Sequence, residues 1–129
     1  RLIMNPIAYK NKYHAKKVNI LGIEFDSKKE GMRWLLLKDM ERQGLISNLQ
    51  RQVSFELLPA IYEDVTVHLK TKDKIERRLK QRSVNYIADF TYTKDGKQIV
   101  EDTKGLRLPE YILKKKMMLA LLNIEISEI

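Results

Sequence analysis

Apolar and polar residues alternate most clearly over residues 84–105, VNYIADFTYTKDGKQIVEDTKG. Two apolar-rich runs flank Asp95-Gly96, and Asp-Gly in that setting predicts a β-hairpin with a two-residue turn. Lys94 then faces Lys97, Tyr92 faces Ile99, and Asp89 faces Asp102. Earlier in the chain, Val18, Ile20, Ile23 and Phe25, broken at Leu21-Gly22, predict a short hairpin or an extended segment. Ser27 offers a helix N-cap, and Glu30 three residues on completes a capping box. Met32, Leu35, Leu36 and Met40 recur at helical spacing, Trp34 and Leu37 broaden the stripe, and Gly44 ends the helix.

A strand is expected over residues 53–58, stopped by Pro59. Ile61, Val65, Val67 and Leu69 allow another strand. In residues 70–82 only Ile75 and Leu79 form an i, i+4 apolar pair, so a helix there would have a thin buried stripe. Pro109 suits the first turn of a helix that continues over residues 110–122. Its later half, from Met117 to Leu122, is apolar nearly all round, which predicts burial on more than one side. Ile124-Glu125-Ile126 reads as a short last strand. The order strand, helix, strand makes it parallel to the strand over residues 100–104. The expected fold class is α/β (α+β), with one mixed central β-sheet flanked by helices.

Composition narrows the class. The chain has 129 residues, the size of one domain. A hydrophobic fraction of 43% beside 33% charged residues fits a globular protein. The net charge of +8 favours a polyanionic partner, nucleic acid ahead of a membrane surface. Residues 1–17 carry Arg1, Lys10, Lys12, Lys16 and Lys17 with Tyr9 and Tyr13 among them and no acid. Such an arm could track a phosphate backbone, or be a solvated tail. There are no cysteines, hence no disulfide framework and no thiolate metal site. No apolar run approaches the ~18 residues of a membrane span, and no signal peptide is visible. His14 and His68 stand alone, without metal-ligand spacing. No Walker loop, Rossmann glycine pattern or nucleophilic Ser or Cys site is present.

The hairpin brings chemistry. Directly opposed residues have Cβ atoms only ~4.5–5.5 Å apart. Two carboxylates at that distance share a proton or need a cation. Lys104 lies two residues beyond Asp102 and shares its face, whereas Glu101 points to the other face. Asp89 and Asp102 therefore read either as ligands of a divalent metal with Lys104 beside it, or as part of a solvated face. A turn one residue longer or shorter would set Glu101 opposite Asp89 instead.

An Asp on one strand, a short turn and Asp/Glu-x-Lys on the next is the pattern of the PD-(D/E)XK nucleases. Ala88-Asp89 stands where that superfamily has Pro-Asp, and Asp102-Thr103-Lys104 is its Asp/Glu-x-Lys. The wider stretches GIEFDSKKEGMRWLLL, GLISNLQRQVSFELLP, YIADFTY, VEDTKG and EYILKKKMM resemble a small phage-encoded nuclease family related to Holliday-junction resolvases and RecB-type nucleases. The resemblance runs from Lys12 to the end, and Ala88 is a mild departure.

The resemblance implies a restriction-endonuclease-like core. It divides the chain into a basic arm (1–17) and a single nuclease domain (18–129) with a basic insertion near 60–82. It further implies a Mg²⁺- or Mn²⁺-dependent DNA endonuclease of structure-selective, recombination type, acting in the cytoplasm of a bacterial host as a homodimer and away from membranes. Asp89, Asp102 and Glu30 would hold the metal with the Thr103 carbonyl, and Lys104 would orient or deprotonate the attacking water. Glu30 keeps two readings, helix cap or metal ligand, which one rotamer would not easily combine. Arg33, one turn on, is a lesser candidate for a phosphate contact. Lys72, Lys74, Arg77 and Arg78, together with Lys115, Lys12 and Lys16, are candidate DNA contacts. A restriction-like or transposase-associated nuclease shares this core. A non-catalytic DNA-binding module on the same fold, or a small basic RNA-binding or structural phage protein, stands as the alternative class.

Overall fold

The computed structural model describes residues 16–103 and 106–129. Lys12, His14 and the rest of the basic arm before Lys16 lie outside the described residues, as do Lys104 and Gly105. The chain opens with a hairpin of β1 (Val18–Ile20) and β2 (Ile23–Phe25). Leu21 and Gly22 both take positive φ at its turn, +52° and +84°, the geometry that suits a two-residue hairpin loop.

Helix α1 (Lys28–Arg42) follows, with the Ser27 side chain accepting from the Glu30 N–H at 3.1 Å. Gly44, with φ +81°, closes it as Leu45 N–H reaches back to the Met40 carbonyl. Its buried stripe is Glu30, Leu37 and the half-buried Arg33, Trp34 and Met40, whereas Met32 and Leu36 are half exposed. This corrects the expected stripe by about one residue. Its inward positions include a carboxylate and a guanidinium, so apolar spacing alone points to the wrong side of the helix.

The central sheet is mixed and four-stranded, in the order β3-β6-β7-β8, with β3 (Ser47–Leu58), β6 (Val84–Lys94), β7 (Lys97–Asp102) and β8 (Ser127–Glu128). The β6–β7 ladder pairs Lys94 with Lys97, Tyr92 with Ile99 and Phe90 with Glu101, the register expected from the Asp95-Gly96 turn. One step further along that register, Asp89 comes opposite Asp102. β8 runs parallel to β7, pairing Glu101 with Ser127 and Asp102 with Glu128. The parallel sense matches the expectation. The pairing falls just after Ile124–Ile126, and Ile126 is buried in the core.

Two apolar clusters sandwich the sheet. Leu57, Tyr86, Ala88, Val100 and Ile126 pack with Tyr111 and Met118 of helix α2 (Pro109–Leu122). Phe90 and Tyr92 pack with Leu37 and Ile46, joined by Trp34, Met40 and Ile99. Neighbouring Ile99 and Val100 go to different clusters, so the clusters lie on opposite faces of β7. On β6, however, Tyr86 and Ala88 belong to one and Phe90 and Tyr92 to the other. Unbroken alternation would put all four on one face. The pleat therefore changes phase at Asp89. Gln52, which the register sets opposite Asp89, has a left-handed φ of +55°, and such a residue inside a strand re-aims its neighbours.

The insertion and the last helix complete the fold, and for the helix the expectation needs correction. The strand allowed by Ile61, Val65 and Val67 is β4 (Ile61–His68), and residues 73–81, which the sequence leaves open, form a second strand, β5, antiparallel to it. Its few apolar side chains are matched across the ribbon, Tyr62 to Leu79 and Thr66 to Ile75. Helix α2 is buried on one side only, through Tyr111 and Met118. Leu113, Leu119 and Leu121 are half exposed, because among the described residues no second layer covers that side.

Candidate active site

Three carboxyl side chains from three elements follow one another at the phase change, Glu30 beside Asp89 and Asp89 beside Asp102. Glu30 comes from the first turn of α1, Asp89 from the middle of β6 and Asp102 from the last residue of β7. Glu30 and Asp102 are fully buried and Asp89 is half-buried. The carboxyl of Asp89 is near enough to those of Glu30 and Asp102 for each to bear on its charge. Thr103 binds Asp89 Oδ2 twice, through its N–H and its hydroxyl, both at 2.8 Å. The Tyr86 hydroxyl donates to Asp102 Oδ2. Burial, followed by the bond to Asp102, pushes the Tyr86 hydroxyl far above its ordinary range, which keeps it a donor.

The Glu30 side chain ties the start of the helix without using its whole carboxyl. Its Oε1 accepts from the Asp26 N–H at 3.1 Å, just ahead of the cap. Its Oε2 lies 3.4 Å from Gln52 Nε2. One rotamer thus ties the start of the helix with one oxygen and leaves the rest of the carboxyl facing Asp89. Burial, then the bond and the charge of Asp89, push its carboxyl up to about 7. Burial also opposes the charge on Asp89, but the hydrogen bonds from Glu30 and Thr103 outweigh it and hold that carboxyl below the usual range. The pair therefore keeps a proton between them, with Asp89 the charged member.

The linkage has a definite sign. A carboxyl whose folded pKa is raised stabilises the fold below its ordinary value of 4.5, and that contribution is lost as pH rises through about 7. Asp89 acts oppositely, losing its contribution as pH falls below its ordinary value of 3.8. Stability in EDTA is expected to peak near pH 4–5 and to decline towards pH 8 by on the order of 2–3 kcal/mol. Glu30→Gln should flatten that decline. Urea midpoints across the pH range measure both, and an equal slope in the variant would remove Glu30 as the cause.

Glu101, the neighbour of Asp102, faces the other way. It is buried under α1, where Arg33 grips it with Nε at 2.8 Å and Nη2 at 2.6 Å, and the Tyr92 hydroxyl donates to it. Arg33 is thereby a strut between α1 and β7. The Nε–Nη2 edge of its guanidinium, a candidate for phosphate, is turned inward onto Glu101.

The candidate DNA contacts fall in three places. Lys74, Arg77 and Arg78 lie on β5 and Lys72 in the turn before it, all exposed. Lys115 lies on α2, its Nζ 3.2 Å from Glu128, which Arg107 and the Tyr111 hydroxyl also bind. Arg107, then Tyr111, hold the Glu128 carboxyl down to about 2. Lys16 is exposed ahead of β1. Tyr86 and Gln52 were not singled out by spacing. Alternation puts Tyr86 on the wrong face, and glutamine gives no signal for left-handed backbone.

Among the described residues, no three or more His, Cys, Asp or Glu side chains close around a common point as a ready metal cage. The donor chemistry nevertheless fits a hard divalent cation. The groups along this line are all oxygens, the donor type such an ion takes. Glu30, Asp89 and Asp102 would hold such an ion, with the Thr103 carbonyl beside them. Lys104, the remaining member of the triplet, lies outside the described residues.

Residues 10–126 match the family described as "Protein of unknown function (DUF1064)", and the chain belongs to that family. No curated protein and no solved structure matches it. Among the described residues no helix is long and apolar enough to cross a membrane.

Proposed function

We propose that this protein is a Mg²⁺- or Mn²⁺-dependent DNA endonuclease with a PD-(D/E)XK-type site. The observation that carries the reading is the carboxyl chain Glu30–Asp89–Asp102, assembled across a hairpin whose next residues are Thr103 and Lys104. When bound, a divalent cation lowers the pKa of water and offsets the charge that develops on a phosphoryl group. The chain's own residues have separate tasks. Asp89 and Asp102 supply oxygen ligands, Thr103 and Tyr86 fix their rotamers, and Glu30 gives up its proton when a cation replaces it. Lys104 orients the attacking water or neutralises the phosphate. The net charge of +8 supports a polyanionic substrate. Structure-selective cleavage, and a homodimer to bring two such sites to two strands, belong to the same proposal.

The test is incubation with linear duplex, single-stranded, flapped and four-way-junction DNA in Mg²⁺, Mn²⁺ or EDTA. Cleavage that requires the metal supports the reading, and no cleavage of any of these substrates in either metal overturns it. The ribbon cations give a second measurement. Replacing Lys72, Lys74, Arg77 and Arg78 together by glutamine should weaken DNA binding and flatten its salt dependence. Each lost phosphate contact lowers the log–log slope by roughly 0.9 on duplex DNA. An unchanged slope would make these four a solvated face.

A further inference from the structure

The β4–β5 ribbon stands apart from the site. Its two strands pair with each other and have only marginal contact with any other element. A lone two-stranded ribbon usually hides its apolar side chains against a third layer. Here one face presents Tyr62, Ile75 and Leu79, with Ile75 70% exposed and the other two about half exposed. The register places them on one face, Tyr62 across from Leu79 and Ile75 four residues along the same strand. Arg77 lies between them on that face, its guanidinium 4.2 Å from the centre of the Tyr62 ring. The opposite face carries Lys74, Arg78 and Lys80 around Glu76 and Glu63. From Ile61 to Arg82 the chain has seven Lys or Arg against four Asp or Glu.

We propose that this ribbon is a base-stacking arm, whose Tyr62–Arg77–Ile75–Leu79 face takes unstacked bases at a discontinuity in duplex DNA. The inference takes DNA as the polymer from the nuclease reading and adds what is recognised. Charge selects the occupant. A second ribbon would bring like charge to like charge, whereas a nucleic acid offers phosphates to the lysines and flat apolar rings to the exposed face. A tyrosine with a guanidinium stacked on it is a platform that any base can extend. Isoleucine and leucine are side chains that wedge between opened base steps. An intact duplex hides its base faces, so the apolar side chains find partners only where stacking is interrupted.

The experiment measures binding of the full chain, in EDTA, to a duplex and to the same duplex with a three-nucleotide unpaired gap. The gapped DNA should bind about tenfold tighter or more, since stacking on each base is worth about that factor. Ile75→Thr with Leu79→Thr, which keeps strand-forming side chains, should remove most of this preference. Tyr62→Ser alone should reduce it and serves as a second variant if the first pair disturbs the ribbon. No preference in the parent chain, or an unaltered preference in both variants, overturns the proposal. So does a parent that self-associates in sedimentation while the variants do not, because the face then belongs to a second copy. A chain that prefers the gap yet never cuts with Mg²⁺ keeps the arm and loses the nuclease reading. A chain that cuts without the preference does the reverse.

Discussion

Asp89→Asn and Asp102→Asn are each expected to lower metal-dependent DNA cleavage by on the order of 10³-fold or more, a barrier increase of about 4 kcal/mol. Both changes keep the local frame. The asparagine oxygen at position 89 can still accept from Thr103, and the one at position 102 from Tyr86. What is lost is the negative charge that a hard cation requires. DNA binding in EDTA should hold or strengthen, because charge that repels phosphate is removed. Cleavage by both variants at the parent rate would sink the proposed site. Glu101→Gln is the informative neighbour. It lies one residue away but under α1, so its effect should appear in stability and leave the cleavage rate of the folded fraction close to that of the parent. Equal loss of cleavage in Glu101→Gln and Asp102→Asn, with folding intact, would mean that Glu101 and not Asp102 is the ligand.

The largest effect on stability should come from Arg33→Met. Glu101 is only 1% exposed, and Arg33 meets it with two hydrogen bonds. Removing the guanidinium leaves a buried carboxylate that must stay charged without a partner or take up a proton. Breaking a buried pair from one side typically costs ~3–5 kcal/mol. For a chain of this size that is a fall in Tm of roughly 10–20 °C. The double change Arg33→Met with Glu101→Leu should recover much of it, because neither charge is then buried and the site already adjoins Trp34, Phe90 and Tyr92. Thermal melts of the two variants decide. A single variant as stable as the parent would show that Arg33 and Glu101 contribute nothing net.

The sequence made the hairpin legible because its turn chemistry and its alternation agree. Asp95-Gly96 specifies a two-residue loop, and the register of Asp89 with Asp102 follows by counting. The helix of Ser27 to Gly44 was equally plain at its ends, where capping is local. What lay inside was harder. The buried stripe of α1 includes Glu30 and Arg33, whose partners are 59 and 68 positions away in the chain, so their burial has no local signature. The change of pleat at Asp89 depends on a left-handed glutamine, a conformation that glycine or asparagine would have advertised. That change is also what carries Tyr86 to Asp102, so the residue that anchors one ligand was hidden by the alternation that revealed the ligand itself. The second strand of the ribbon was left open for a simpler reason. Its strands are stabilised by pairing with each other, and a strand exposed on both faces carries almost no apolar alternation to read.

Glu101 and Asp102 sit side by side on β7 with their side chains in opposite cores. Consider the hairpin misaligned by one residue. The acid that Arg33 and Tyr92 are built to receive would point towards Tyr86 and α2, and the acid that Tyr86 receives would point under α1. Asp102 is one methylene shorter than Glu101, so neither cavity would find a carboxylate at the depth it expects. Every one-residue slip is thus penalised on both sides of the sheet at once. The two adjacent acids act as a lock-and-ward pair that separates the native alignment from its nearest competitors, and they do so before any ligand arrives.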